Sequence, residues 1–436
     1  MRILERFFHL AEKGTTVRRE LLGALTSFFS VAYILFVTPS TLSLAGMDYT
    51  GVLLATCLSS ALACFLSAAF DLPFMLAPGV GLNAFFTYTL CLTMGYTWAQ
   101  ALAVVSLSGV AYLVISLTPL RNQMISCIPP SMKNAISAGL GLFIALIGLL
   151  TSGIVRAEDG ALLLLGDIGA PATFLAILGL LITGVLMAWK VKGAMLIGIV
   201  VTTLLGFPLG VTQAPESMSL SLSALRPLLL SPDFGGVLSL GVMPLVTAVV
   251  TFTMCLCFDT LGALICIAGA GDLLDETGGL GRYSRGMTAV ALSTAAAPLL
   301  GAPPIGIPVE GSTGVADGAR TGLYTAATGV LFLAAILLAP IAGVIPGAAT
   351  SPALVLIGML MIHNATNIYW HQVEIALPCF LTMIMIPFTY SVADGIGVGF
   401  ISYTAISLVS GKGKKIPPVT YILTALFIAM YVLSAI

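Results

Sequence analysis

The sequence has few charged residues and almost no histidine. Asp, Glu, Lys and Arg make up only 8% of its 436 residues, and there are three histidines, whereas soluble domains are about 25% charged. The formal net charge of −1 provides no basic field that could hold nucleic acid. The eight cysteines lie in or beside apolar runs and show no paired framework, which argues against a disulfide scaffold. We therefore expect neither a soluble enzyme nor a nucleic-acid-binding protein, and we expect no metal site and no cofactor.

Apolar residues are abundant, at 58% of the chain, and the mean hydropathy is +1.09. They form successive runs of the length that a bilayer-crossing helix needs, about 17–25 residues. The sequence predicts an all-α polytopic membrane protein with about fourteen transmembrane segments, of which 374–411 is long enough to be bent or broken into two. The predicted spans are 20–45, 50–70, 74–93, 97–118, 132–153, 171–189, 193–210, 239–268, 286–301, 308–319, 321–345, 352–364, 374–411 and 417–435.

The positive charges predict the orientation of these spans. If the N-terminus is cytoplasmic and the spans alternate, twelve Lys and Arg residues fall inside, and only Arg156 and Arg226 fall outside. This is the bias that cytoplasmic loops show, so we expect a multi-pass protein of the plasma membrane with its N-terminus inside. Residues 1–19 read as an amphipathic helix on the cytoplasmic surface. The side of the membrane on which the C-terminus lies stays open. It depends on whether 374–411 crosses the membrane once or twice, which places Lys412, Lys414 and Lys415 outside or inside.

Two apolar segments cannot be continuous helices. Residues 76–90 and 301–318 contain several prolines and glycines, and proline removes a backbone donor and clashes with the preceding turn. Irregular backbone at membrane depth must be buried in protein or line a polar cavity. The segments are predicted spans 3 and 10, and 227 residues separate Asn83 from Glu310, close to half of the chain. Interrupted spans at matching places in two halves indicate a transporter site built from two inverted seven-span repeats.

Two acidic residues stand alone in long apolar stretches. Asp259 is the only charged residue from 239 to 268, and Glu310 is the only one from 286 to 316. An acid inside the bilayer costs roughly 2.5–3.5 kcal/mol on insertion scales and usually has a function. Glu310 follows Pro308, which can begin a helix, so it should lie near a helix N-terminus. Asn83 occupies the corresponding place in the first half.

These residues predict the chemistry of a ligand. Acid and amide groups with the rings of Phe85 and Phe86 suit a flat, neutral solute with several hydrogen-bonding groups, such as a nucleobase. A phosphate or sulfate would instead require Arg or Lys, and the nearest is Arg320, which could pair with Asp317 at i,i+3. Glu374 and Asp394 are secondary candidates.

The sequence also resembles the AzgA-type purine permeases of the nucleobase:cation symporter-2 family. The resemblance rests on blocks that run in family order from about residue 17 to 411. The matching blocks are TSFFSVAYILFVTPSTLSLAGMD, LAPGVGLNAFF, IPPSMKNAISAGLGLFIALIGL, CFDTLGALIC, VEGSTGVADGARTGL and ALPCFLTMIMIPFTYSVADGIGVGFISY.

The resemblance implies a uracil-permease-like fold, a homodimer and import of purine nucleobases (adenine, guanine or hypoxanthine) with protons, or with sodium in their place. The implied core domain comprises residues 20–120 (spans 1–4) and 239–350 (spans 8–11). The implied gate domain comprises residues 121–238 (spans 5–7) and 351–436 (spans 12–14). Asn83, Asp259 and Glu310 are carried over as substrate-binding residues, with Asp259 and Glu310 also coupling the proton.

The sequence departs from the family pattern at three places. Thr38 stands where the family commonly has Asn, and the stretch before Glu310 is PPIGIPVEG rather than rich in Ser and Thr. The acid usually found before the ALPCF block is shifted by one, with Ile375 in its place and Glu374 beside it. These departures bear on substrate choice and on the coupling ion.

Two other functions remain to be tested. An anion transporter of the same architecture predicts a basic residue that faces the gap between the broken segments. A membrane-embedded hydrolase predicts two acids within hydrogen-bond reach, and GAGD (269–272) and PAL (352–354) match the aspartyl-protease motifs literally. However, Asp259 and Asp272 are thirteen residues apart, about 20 Å along a continuous helix, and Asp272 lies in a polar loop-like stretch.

Overall fold

The structure is a computed structural model that describes residues 8–118, 129–158, 161–213, 222–273 and 280–434. Within these ranges, nine helices are long and apolar enough to cross a membrane. Shorter apolar helices accompany them, among them Val80–Thr93, Ala194–Gly206 and Val373–Thr389. The predicted all-α membrane fold is confirmed, and the chain is a multi-pass membrane protein.

The first half of the chain contains eight described α-helices, two of which form one kinked span. The bounds are α1 Val17–Val31, α2 Ile34–Ser43, α3 Tyr49–Ala69, α4 Val80–Ala84, α5 Trp98–Leu117, α6 Pro130–Thr151, α7 Pro171–Ala188 and α8 Ala194–Gly206. A π-helix at Phe85–Thr93 continues α4, and the strands are β1 Ala77–Pro78, β2 Val155–Glu158 and β3 Ala161–Leu165. Strands β2 and β3 pair as a short antiparallel hairpin.

The second half contains further membrane helices and the last strand. The α-helices are α9 Val242–Ala270, α10 Arg285–Ala296, α11 Ser312–Ala316, α12 Gly322–Ala335, α13 Ala339–Ala342, α14 Gly347–Ile362, α15 Val373–Thr389, α16 Val392–Val409 and α17 Pro418–Ser434. Strand β4 is Ile305–Gly306, and short 3₁₀ turns include Val309–Gly311 and His363–Asn367.

The predicted span 374–411 is broken into two helices that form a hairpin. Tyr390 adopts a left-handed conformation (φ 54°) between α15 and α16, and the two helices pack closely along each other. Lys412, just after α16, pairs with Glu374 in the first turn of α15. The hairpin therefore returns Lys412 to the side of the molecule from which α15 begins.

The two interrupted segments meet at the centre of the fold. Strands β1 and β4 pair antiparallel, with Ala77 opposite Gly306 and Pro78 opposite Ile305. Such extended backbone at membrane depth needs internal hydrogen-bond partners. The Thr294 hydroxyl donates to the carbonyl of Ile305 at 2.7 Å, and the Cys64 thiol lies 3.2 Å from the carbonyl of Leu76.

Helix packing falls into two groups. Helix α3 packs on α12, and α5 packs on α10 and α9; separately, α6 packs on α14 and α15, and α7 packs on α8. Small residues permit the closest crossings, as is common in membranes. A Cβ at Gly358 on α14 would lie 2.4 Å from the carbonyl oxygen of Gly141 on α6.

The start of the chain is tied to the helices around α12. Residues 1–7 of the predicted amphipathic segment lie outside the described residues, whereas Phe8 and Leu10 are buried against Leu323. Glu20 on α1 is fully buried and accepts hydrogen bonds from the backbone N–H groups of residues 320, 321 and 324 and from the Thr321 hydroxyl. This buried acid thus satisfies one free N–H group in the first turn of α12 and the two N–H groups just before the helix.

Candidate functional site

Asp259 lies beside both interrupted segments. On long helix α9, its Oδ2 atom would be 3.3 Å from a Cβ built at Gly306 and 3.8 Å from one built at Gly79. Gly306 belongs to β4, and Gly79 directly follows β1. The carboxylate is therefore placed where the two halves of the chain meet, and the absence of side chains at both glycines leaves room for it.

Glu310 reaches the same region from the second segment. It lies in the first turn of the 3₁₀ helix that follows Pro308, so its predicted place near a helix N-terminus is confirmed. The Tyr33 hydroxyl donates to Glu310 Oε1 at 2.7 Å, and the Glu310 side chain is half-buried. Glu310 thus follows by four residues Gly306, the backbone position that Asp259 approaches.

Asn83 enters from the first segment on the short helix α4. Its Nδ2 donates to the Thr38 hydroxyl at 3.0 Å, and both residues are buried. The Oδ1 atom of Asn83 is buried and has no hydrogen-bond partner among the described residues. A buried acceptor without a partner is costly, by about 1–3 kcal/mol, so this oxygen is suited to receive a donor from a ligand.

An exposed strip on α9 connects Asp259 to one end of the helix. Residues 251–258 are all buried, whereas Asp259, Gly262 and Cys266 are exposed, and their spacing of three and four places them on one face. Val309, next to Glu310, is 47% exposed. The exposed strip thus runs from Asp259 toward the C-terminal end of α9, the side for which the charge pattern predicts the cytoplasm.

Phe85 and Phe86 lie in the protein interior, away from the exposed strip on α9. Both rings are fully buried, and Phe85 stacks on Phe252 with the ring centroids 5.1 Å apart and an interplanar angle of 18°. The π-helix that contains them packs into the protein core. These contacts favour a packing role for the two rings over the ligand contact that the sequence predicted.

The secondary candidates have different surroundings. Thr38 joins the site through Asn83, as described above. Glu374 pairs with Lys412 at the open end of the hairpin. Asp394 lies in the first turn of α16, where its backbone N–H donates to the Ser391 hydroxyl and its backbone carbonyl accepts from the Tyr431 hydroxyl. Of these three, the structure brings only Thr38 into contact with a predicted substrate residue.

The basic residues correct one sequence prediction. Arg320 does not pair with Asp317; its guanidinium donates to the carbonyls of Val315 and Ala319. Asp317 instead pairs with Lys192 at 2.6 Å. Backbone carbonyls at the end of α11 compete for the guanidinium, and Lys192 in the turn between α7 and α8 reaches Asp317 from another part of the fold.

Sequence analysis missed two side chains, Tyr33 and Lys133. Tyr33 lies in an apolar run, VAYILF, where the only hint was a phenol that needs a partner when buried. Lys133, near the start of α6, places its Nζ 5.5 Å from the centroid of the ring of Phe258, which precedes Asp259 in the chain. Neither contact has a signal at fixed spacing in the sequence.

Comparison with known proteins identifies relatives over the whole chain. Residues 18–434 match the family model Xan_ur_permease, described as a permease family. The guanine/hypoxanthine permease PbuG of Bacillus subtilis is 38% identical over 98% of this chain and 99% of its own length. The adenine permease AdeP of Escherichia coli is 34% identical over 98% of this chain and 95% of its own length.

A solved structure shows the same fold. The transmembrane domain of a cyanobacterial bicarbonate transporter, BicA, superposes with a TM-score of 0.67 over 86% of this chain and 96% of that domain. Its sequence identity of 15% relates the two by fold alone. This chain and that transmembrane domain thus share one architecture.

The family match and the near-full-length relatives bear out the resemblance that the motifs carried. They describe transporters rather than enzymes, which agrees with a site built at interrupted membrane segments. The chain belongs to the Xan_ur_permease family of permeases, and it is a multi-pass membrane transporter.

Proposed function

We propose that this protein imports purine nucleobases by proton symport. The single observation that carries the proposal is the convergence of Asp259 and Glu310 on the paired strands β1 and β4, with the exposed face of α9 leading to them. The relatives whose names specify guanine, hypoxanthine or adenine support purines as the substrate class. The preferred base is a separate question that the uptake experiment addresses.

Each side chain has a distinct task in this proposal. Glu310 accepts a ring N–H through the carboxylate oxygen that Tyr33 does not engage. The unpartnered Oδ1 of Asn83 accepts a second donor from the base. Asp259 orients the base from the opposite side, and a proton on either acid relieves the repulsion between the two carboxylates.

In this proposal, alternating access is a movement of the two packing groups relative to each other. We assign residues 20–120 and 239–350 to a core domain that carries the site, and residues 121–238 and 351–436 to a gate domain. The most extensive helix contacts lie within a group: α3 packs on α12 in the core domain, and α6 packs on α14 in the gate domain. This arrangement supports relative motion of the two groups. A cytoplasmic N-terminus and a homodimer complete the proposal.

Uptake of radiolabelled bases tests it directly. Cells that express the protein should accumulate at least one of guanine, hypoxanthine and adenine, and a protonophore should abolish the accumulation, whereas a sodium-selective ionophore should not. Asp259→Asn and Glu310→Gln should each abolish uptake at unchanged membrane abundance. Asp272→Asn, an exposed acid just beyond α9, is the matched control and should transport normally. Normal uptake by either site variant contradicts the proposal.

Lys133 supports a second candidate, an anion transporter. Its ammonium group lies over the ring of Phe258, the residue that precedes Asp259 in the chain, and an anion site requires a basic residue. This alternative predicts uptake of radiolabelled bicarbonate or sulfate and its loss in Lys133→Gln. Purine uptake that survives Lys133→Gln, without anion uptake, excludes it.

A further inference from the structure

Tyr33 holds the carboxylate of Glu310 from a break in the first span. It lies between α1 and α2, and its side chain is 2% exposed. Its hydroxyl donates to Glu310 Oε1 at 2.7 Å. A hydrogen bond to an ionised acceptor is among the stronger ones in proteins, so this contact fixes which carboxylate oxygen faces the ligand.

The backbone around Glu310 is anchored without Tyr33. The Ser27 hydroxyl accepts from the Gly314 N–H at 2.9 Å and donates to the Gly311 carbonyl at 3.3 Å. The Tyr324 hydroxyl donates to the same carbonyl at 3.1 Å. Because three other contacts hold this segment, the bond from Tyr33 acts on the carboxylate itself rather than on the fold of the segment.

The engaged oxygen limits what Glu310 can accept. A carboxylate binds two adjacent donors best when each donor has its own oxygen. With Oε1 already accepting the phenol, one oxygen remains for a ligand. Guanine presents its N1–H and its exocyclic amino group side by side, whereas hypoxanthine presents N1–H and lacks the amino group.

We infer that Tyr33 is a positioning residue that sets the choice between purines by occupying one oxygen of Glu310. This inference rests on the proposed function. In the wild-type protein, the second donor of guanine must share Oε1 with the phenol. Removal of the phenol hydroxyl frees that oxygen for guanine, whereas hypoxanthine gains nothing and loses an oriented acceptor.

Competition experiments with Tyr33→Phe test the inference. The inhibition constants of unlabelled guanine and hypoxanthine are measured against a radiolabelled base that the wild-type protein imports. In Tyr33→Phe, the ratio of the hypoxanthine constant to the guanine constant should rise roughly fivefold. Tyr324→Phe is the matched control, because it removes a phenol bond to the same segment without touching Glu310; its ratio should equal that of the wild type.

Two results would overturn the inference: an unchanged ratio in Tyr33→Phe, or an equal shift in Tyr324→Phe. Failure of the wild-type protein to import any purine is a different result, and it would overturn the proposed function. If Tyr33→Phe does not reach the membrane, 3-fluorotyrosine at position 33 preserves the shape and makes the phenol a stronger donor. The ratio should then fall, and an unchanged ratio would again overturn the role of Tyr33.

Discussion

Asp259 and Gly306 are in near contact: a Cβ built on the glycine would lie 3.3 Å from Oδ2 of the acid. One residue lies on a continuous helix and the other on a two-residue strand, so the acid is positioned against backbone. The antiparallel pairing of β4 with β1 fixes that backbone. The geometry of the candidate site therefore depends on the close meeting of the two halves.

A methyl group at position 306 should disturb the site. In Gly306→Ala, the Asp259 carboxylate must move by a few tenths of an ångström, and we expect the apparent affinity for the transported base to fall roughly tenfold. Gly79→Ala, whose Cβ would be 3.8 Å from the same oxygen, should have a smaller effect. Concentration-dependent uptake measures both; a larger loss in Gly79→Ala would contradict this account of the acid's position.

The bond between Thr38 and Asn83 should contribute to stability and to uptake. Thr38→Val leaves the buried Asn83 amide without its acceptor, and we expect the free energy of unfolding to fall by about 1–3 kcal/mol. Apparent affinity should also fall, because the amide is no longer held. Thr38→Ser keeps the hydroxyl and should resemble the wild type. Thermal unfolding of the purified protein and uptake kinetics check the pair, and equal behaviour of the two variants would contradict the prediction.

Cys266 should report the side of the membrane to which the exposed strip on α9 leads. It is exposed and lies two helical turns beyond Asp259 on the same strip of α9. A membrane-impermeant maleimide should label it in inside-out vesicles and not in right-side-out vesicles. Cys266→Ser gives the background from other cysteines. Labelling from the opposite side would reverse the proposed orientation.

The pair Lys192–Asp317 should stabilise the conformation seen in the structure. It links the turn before α8 to the end of α11, which belong to the proposed gate and core domains. Its side chains are 59% and 37% exposed, and such pairs contribute up to about 1 kcal/mol. Lys192→Gln should therefore slow the labelling of Cys266 by at most about fivefold.

The charge-reversed double variant Lys192→Asp with Asp317→Lys is the control for that prediction. It restores an ion pair between the same positions and should recover the wild-type labelling rate. Equal rates in all three proteins would show that the pair does not influence which conformation is populated.

Much of the fold was predictable because membranes impose strong constraints on sequence. Long apolar runs predicted the spans, and the break at 374–411 was anticipated, but the sequence could not show that Tyr390 turns the chain back on itself. Pro78 and Pro308 marked the interrupted segments, since proline cannot continue a helix. The cost of isolated acids in an apolar environment singled out Asp259 and Glu310.

The remaining features depend on contacts between residues far apart in the chain. Tyr33 lies 277 positions from Glu310, and no periodic pattern links them. The rings of Phe85 and Phe86 read as ligand contacts, yet packing against Phe252 accounts for the first and burial for both. The predicted ion pair between Asp317 and Arg320 is likewise wrong. Asp317 pairs with Lys192, and Arg320 donates to backbone carbonyls.

The amino-acid sequence by itself determined that the chain spans a bilayer and at which positions its spans are interrupted. It also determined which acidic residues are too costly in a membrane to be incidental. Only the tertiary structure decided which oxygen of Glu310 is engaged, that the Oδ1 atom of Asn83 has no hydrogen-bond partner among the described residues, and which residues of α9 are exposed. The physical reason is that transfer into the membrane depends on local composition, whereas hydrogen bonding and side-chain orientation depend on neighbours that only folding brings together.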